Sequence, residues 1–267
     1  MKYACPICKT PLMLQQNTWS CSNNHRFDCA KEGYVNLLPV QNKRSKDPGD
    51  NKEMMFARRE FLNKGHYQLL SDRVNELAML HCPRAEQGLD IGCGEGYYSH
   101  RLFDSLPDVE LQGLDISKSA LKYASKRYKD ISFCVASAFE MPFESEQFDF
   151  MLRIYAPSLD EELRRVVKQG GTLITASAGK NHHFALKELI YDKPKRHISE
   201  SSHIEGFELV HRENLEAELV LTNEVEITHF LNMTPYSWKL TQEQKADMIS
   251  QGLKCELDFK IEVFKAI

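Results

Sequence analysis

The stretch LDIGCGEGYYS, residues 89–99, narrows the folds open to this 267-residue chain more than any other segment. An acid, Asp90, precedes glycines at every second position, Gly92, Gly94 and Gly96. Three glycines alone can serve only a turn. Here an apolar run leads in and a helical stretch leads out, the context that a nucleotide-binding βα unit requires. Around it, GLDIG, GYYSHRLFDSL, ELQGLDIS, SALKYASKRY, ISFCVAS, FDFMLRI, DEELRRVV and GTLITAS alternate strand-like with helical segments. Such alternation predicts an α/β fold, a parallel sheet with crossover helices. Beyond residue 205, GFELVHRENLEAELVL and CELDFKIEVFKAI read as longer strands and predict an antiparallel pair closing the sheet.

The first thirty residues follow another logic. Cys5-x2-Cys8 lets two thiolates at one turn face one ion, and Cys21-x3-His25, twelve residues on, is the matching half. Cys29 is left over, because pairing Cys21 with Cys29 would ask a seven-residue loop to do the work of a short turn. Cys5, Cys8, Cys21 and His25 are therefore the expected ligands of one tetrahedral zinc ion; free or redox thiols are the alternative. With four protein ligands no position remains for water or substrate, which makes the zinc structural. This segment has few large aliphatics, so metal binding, ~10–16 kcal/mol in isolated finger peptides, would be what folds it. Cys82, Cys93, Cys134 and Cys255 lie scattered without paired spacing and read as reduced thiols. With no run long enough to span a membrane and no signal-peptide core, a cytoplasmic protein is expected.

Charge divides the chain. The net charge is -4, yet residues 1–60 hold ten Lys and Arg against six Asp and Glu. A polyanion would meet this basic part first, although a solvated basic surface has the same balance. VQNKRSKDPGDNKE, residues 40–53, reads as a linker or exposed basic loop. Asp50 and Glu53 have capping-box spacing before the helical MMFARREFLNKG, which Gly65 would end. YQLLSDRVNELAML sets Leu69, Leu70, Val74, Leu77 and Leu80 on one helical face. The expected organisation is a zinc-binding module (1–40), a basic linker with helices (41–84) and a catalytic α/β domain (85–267).

The glycine spacing is not the dinucleotide fingerprint, whose third glycine follows the second by three positions. Acid-x-Gly-x-Gly-x-Gly instead resembles motif I of the class I methyltransferases, which use S-adenosylmethionine and have a Rossmann-like sheet. That cofactor lacks phosphates, so the glycines would let backbone approach its methionine and ribose parts. Asp115, 25 residues after Asp90, stands where a second-strand carboxylate would hold two ribose hydroxyls; capping the next helix is its alternative role. VASAFEMPF, FDFMLRIYAP and RRVVKQGGTLITAS are similar in order to the later landmarks of that superfamily. One departure is that Ser137 and Ala138 stand where many members have an Asp for the adenine amino group.

CPICKTPL, HRFDCAKEGYVNLLPVQNKRSKDPGD, MMFARREFL, GHYQLL, LDIGCGEGYYSHRL, RIYAPS and MTPYSW together resemble the bacterial 23S ribosomal RNA guanine-N1 methyltransferases of the RlmA type. The resemblance implies methyl transfer from S-adenosylmethionine to N1 of a guanine in a hairpin loop of 23S rRNA, with a basic zinc module helping to hold the RNA. Cys5, Cys8, Cys21 and His25 match the family's zinc ligands. Tyr67 matches a cofactor-contacting tyrosine, Tyr98 with Ser99 matches contacts after motif I, and His182 matches a histidine near the cofactor; His183 is left unassigned. No general base is identified. Lys43, Arg44, Lys46, Arg58 and Arg59 form an expected basic stripe for phosphates, and Tyr155 a stacking platform for an unpaired base, with a core tyrosine as its alternative. A homodimer with a cleft across two basic modules would suit a hairpin. Reversing the charges of Lys43, Arg44 and Lys46 is expected to weaken RNA binding and flatten its salt dependence while cofactor affinity holds; an unchanged salt slope would contradict that assignment. The rival readings are a methyltransferase of a quinone or lipid precursor, and a non-catalytic RNA-binding protein with a retained cofactor fold.

Overall fold

The structure, a computed structural model, describes residues 2–39, 51–197 and 203–267. Lys43, Arg44, Lys46 and Asp50 lie outside the described residues. Four short strands, β1 (Tyr3–Ala4), β2 (Pro11–Gln15), β3 (Thr18–Ser20) and β4 (Arg26–Asp28), form an antiparallel ribbon in sequential order. The second sheet has eight strands: β5 (Val35–Asn36), β6 (Gln87–Ile91), β7 (Glu110–Asp115), β8 (Ser132–Val135), β9 (Phe148–Ile154), β10 (Val167–Ala178), β11 (Phe207–Leu221) and β12 (Leu253–Ala266). Their spatial order is β11-β12-β10-β9-β6-β7-β8-β5. Pairing is parallel from β5 to β10, and β12 runs antiparallel to both β10 and β11. The expected antiparallel closure is thus present. Strand order reverses between β6 and β9, the switch point at whose carboxyl ends an open α/β sheet holds its ligand.

Burial explains why these segments are strands. In β9, Phe148, Phe150, Met151 and Leu152 are all buried, as a parallel strand covered on both faces requires. The helices are α1 (Lys52–Asn63), α2 (Gln68–His81), α3 (Tyr97–Ser105), α4 (Lys118–Arg127), α5 (Asp160–Val166), α6 (Phe184–Ile190), α7 (Glu224–Met233) and α8 (Gln242–Gln251). Asn51 caps α1, its side chain accepting from the Met54 backbone N–H; Gly65 follows the helix end in the left-handed conformation (φ 84°). Helix α2 buries Leu70, Val74, Leu77 and Ala78. Leu80 is 70% exposed, a correction to the expected face: one turn past Val74 the stripe continues through Leu77 and Ala78, and Leu80 points outward. Helix α1 packs on α7, and α2 on β10 and β12, so both belong to the body around the large sheet.

The ribbon is anchored to the same body. Ala4 N–H donates to the Pro142 carbonyl at 3.0 Å, and Tyr3, almost fully buried, stacks on Phe143 at 5.6 Å and meets Trp19 edge-on at 4.9 Å. Lys9 pairs with Glu140. Directly after the ribbon, β5 joins the edge of the large sheet through β8, and Leu37 N–H donates to the Val135 carbonyl. Among the described residues no helix is long and apolar enough to cross a membrane.

Candidate active site and zinc centre

Cys5, Cys8, Cys21 and His25 converge with all ligand atoms within 4.8 Å of one another. The Cys8 and Cys21 sulfurs are 3.7 Å apart, and His25 Nδ1 lies 3.5 Å from Cys5 Sγ and 3.4 Å from Cys21 Sγ. Tetrahedral zinc, bonded at about 2.3 Å to sulfur and about 2.0–2.1 Å to nitrogen, sets these separations near ~3.8 and ~3.6 Å. The donor set therefore fits zinc, with His25 binding through Nδ1. Cys29 stands apart, its backbone bridged to Val35 and donating to Asn17. All eight cysteines are free of disulfides.

At the carboxyl ends of β6, β7 and β9 opens a cavity of about 640 Å³, within the ~300–1,000 Å³ usual for small-molecule sites. Tyr67, Asp90, Gly92, Gly94, Tyr98, Asp115 and His182 all line it. Gly92 has φ 71°, and a side chain there would meet Ala156 Cβ at 2.4 Å, so only glycine lets the turn pack under the segment after β9. A carbon added at Gly94 would meet nothing within 4 Å, which leaves that stretch of backbone open to a ligand. Asp115 accepts the Gly94 N–H at 2.8 Å and the Ser117 N–H at 2.7 Å. The cap of α4 is Ser117, so Asp115 is free of that alternative role and braces the glycine turn from β7.

Gly96 and Ser99 do not line the cavity. Gly96 is the N-cap of α3, and Ser99 is fully buried with its hydroxyl donating to Asp90 Oδ2 at 2.6 Å. Both act through neighbours: one starts the helix, the other holds the acid. Burial pushes Asp90 up to about 7, against the Ser99 hydrogen bond, with the nearby Asp115 charge adding to the rise. The unfolded chain loses this proton near pH ~4 while the folded protein keeps it. Stability therefore declines as pH rises from about 4 to about 7, by up to ~4 kcal/mol, and is flat above. Asp90→Asn keeps an acceptor for Ser99 and is expected to abolish that part of the slope, measured as the difference in Tm between the two proteins across the interval.

Two histidines meet at the inner wall. His182 and His183 stack with ring centroids 3.8 Å apart. His183, left-handed at φ 53°, uses Nε2 on the Tyr67 hydroxyl at 2.8 Å. His182 Nδ1 accepts the Asp258 backbone N–H at 3.1 Å, and its Nε2 lies 3.3 Å from the Tyr155 hydroxyl. Burial pushes His182 down to about 3 and His183 well below its ordinary value, so both rings are neutral. Sequence reasoning missed Asp258, Phe139, Tyr123 and Tyr236. Asp258 is one of three acids in β12, with no local signal to single it out, and its backbone N–H reaches His182 only because β12 pairs with β10. Ser137 spends its hydroxyl on the Phe139 N–H, and the Phe139 ring lines the cavity there.

Of the expected basic stripe, Arg58 and Arg59 fall among the described residues, and both line the cavity. Arg59 contacts Glu95 at 3.3 Å and Glu60 at 3.1 Å, with its guanidinium over Tyr123 at 4.4 Å and Phe56 at 4.9 Å. These contacts tie α1 to the glycine turn. Tyr155 stands half-exposed at the mouth.

The sheet order, the acid-glycine turn and the attached four-ligand ribbon define a class I S-adenosylmethionine-dependent methyltransferase with a structural zinc centre. A family model described as "RlmA, N-terminal" matches residues 3–46, and one described as "Methyltransferase domain" matches residues 84–219. The chain is 30% identical to the 23S rRNA (guanine(748)-N(1))-methyltransferase of Streptomyces fradiae, over 92% of this chain and 89% of that one. It is 29% identical to a Bacillus subtilis protein described as a candidate 23S rRNA (guanine-N(1)-)-methyltransferase, over 97% and 96%. A demethylmenaquinone methyltransferase of Thermotoga maritima, 36% identical, matches only 38% of this chain. The chain belongs to the 23S rRNA (guanine-N1)-methyltransferase family.

Proposed function

We propose that the protein transfers a methyl group from S-adenosylmethionine to N1 of one guanine in a hairpin loop of 23S rRNA. The observation that carries this reading is the pairing, in one chain, of the glycine-turn cavity with a zinc ribbon anchored beside it through Tyr3, Phe143 and β5. A quinone or lipid methyltransferase has no use for the ribbon, and the demethylmenaquinone relative matches only part of the chain.

Asp115 would hold the ribose, the backbone at Gly92 and Gly94 the methionine part, and Tyr67, Tyr98 and His182 the inner wall. Asp90, Gly96 and Ser99 shape that wall. Both nitrogens of His182 are already engaged by the protein, so its contact with a cofactor would be through the ring. S-adenosylmethionine supplies an electrophilic methyl group on a sulfonium. The protein's contribution is mainly to hold the two partners in line, which can be worth ~7–11 kcal/mol of the barrier. The reading includes a cytoplasmic protein and a homodimer whose two ribbons flank the hairpin. Cells lacking this chain should have 23S rRNA without one N1-methylguanine, restored by the wild-type gene and not by Asp115→Ala; rRNA modification that is unchanged would contradict the proposal.

A further inference from the structure

At the cavity mouth a hydrogen-bonded chain ends on a phenol that the cofactor reading leaves without a role. Tyr155 directly follows β9 with left-handed backbone (φ 53°), a conformation that a non-glycine residue keeps only where its surroundings hold it. Its neighbour Ala156 packs against Gly92, so the phenol stands beside the glycine turn. The hydroxyl reaches inward to His182 Nε2 at 3.3 Å, and His182 Nδ1 accepts from the Asp258 N–H at 3.1 Å. The carboxylate of Asp258, buried, accepts from Asn181 N–H at 2.8 Å and Asn214 Nδ2 at 3.2 Å. Since Nδ1 is an acceptor, the neutral ring carries its proton on Nε2, aimed at the Tyr155 oxygen. That oxygen accepts, and its own O–H is left to donate into the cavity mouth.

We propose that Tyr155 is a catalytic residue that donates its phenolic hydrogen to O6 of the target guanine, with His182 and Asp258 as positioning residues behind it. This rests on the guanine-N1 reading. When N1 gives its proton to solvent, the negative charge is shared between N1 and O6. The N1 lone pair then forms the bond to carbon, the carbon–sulfur bond breaks with its electron pair left on sulfur, and one proton has been released per methyl transferred. Tyr155 keeps its proton throughout. A fixed donor at O6 stabilises the charge that develops there, as an oxyanion hole does. It also selects the base, because adenine presents an amino donor at that position and guanine an acceptor.

The groups facing Tyr155 are Tyr67 before α2, Tyr98 on α3, Tyr236 after α7, His182 before α6, and Asp258 on β12, with His183 behind, stacked on His182. His197, a further cavity group, is also pushed down by burial. Burial raises the four phenols and lowers the histidines, so neither set ionises near neutral pH. Asp90 lies against Ser99 and is common to every variant below, so comparison at each pH removes its titration.

The test is single-turnover methylation of large-subunit RNA by Tyr155→Phe, His182→Ala and His182→Gln, from neutral to alkaline pH, with affinities for S-adenosylhomocysteine and RNA measured separately. Tyr155→Phe should lower the rate by about 10²-fold, leave both affinities unchanged and displace the rise of rate with pH to higher pH. His182→Gln, whose amide can still donate to the Tyr155 oxygen, should recover much of what His182→Ala loses. A 6-thioguanine at the mapped target, in complex with the protein and S-adenosylhomocysteine, should ionise at lower pH with wild type than with Tyr155→Phe, read by its ultraviolet absorbance. A Tyr155→Phe rate equal to wild type at every pH overturns the proposal, as does a loss confined to RNA affinity. Methylation by the wild type at an atom other than guanine N1 overturns the functional reading beneath it.

Discussion

Asp115→Ala should weaken binding of S-adenosylhomocysteine by about a hundredfold, measured by calorimetry on the otherwise intact protein. The carboxylate accepts two backbone N–H groups, from Gly94 and Ser117, and with them ties the glycine turn to the end of β7. Hydrogen bonds to a charged group contribute ~1.5–3 kcal/mol each. Removing it orphans both N–H groups and deletes the ribose partner. Part of that cost falls on stability, and ~2.8 kcal/mol on binding corresponds to a hundredfold. Asp115→Asn retains one acceptor and should lose less. Equal affinity in wild type and Asp115→Ala would remove Asp115 from the cofactor site.

Replacement of Cys21 by Ala, or removal of zinc by a chelator, should unfold the ribbon outright. Metal binding is worth ~10–16 kcal/mol in isolated finger peptides, far more than a few short strands can replace. Tyr3 and Trp19 would lose their enclosure, and with them the stacking on Phe143. The loss should spread to β8, which pairs with β5, and to the following segment that carries Phe139 in the cavity wall, and stop there. Hydrogen exchange should show protection lost over residues 2–38 and reduced over 132–143, with β6 and β7 unchanged. RNA methylation should fall by more than cofactor affinity does. Uniform protection after zinc removal would mean that the aromatic packing alone holds the ribbon.

Residues 88–178 and the two terminal strands were legible because each element there has its own period: apolar runs for buried parallel strands, 3.6-residue stripes for crossover helices, alternation for β11 and β12. The zinc ligands were legible for a related reason, since two short turns carry their own spacing. Strand β5 was not, because two residues have no period, and its place is set by an edge contact with β8. Helices α7 and α8 went unread between the long strands, although Thr241 and Gln244 form a capping box. Asn51 caps α1 although its neighbours in sequence include other good acceptors, because the cap position is set by backbone geometry that the sequence does not show. The pairing of Arg59 with Glu95 was likewise not legible, because it joins α1 to the glycine turn across 36 residues of sequence. The link between Tyr155, His182 and Asp258 joins residues far apart in the chain, and only the β10–β12 register brings them together.

The central claim meets its most direct test when the purified protein is incubated with methyl-labelled S-adenosylmethionine and unmodified large-subunit RNA, and the RNA is digested to nucleosides and mapped. The expected result is label in 1-methylguanosine, traced to a single guanine in a hairpin loop of 23S rRNA. Label absent from RNA while the protein holds cofactor, or label found on a quinone precursor supplied in the same reaction, would contradict it.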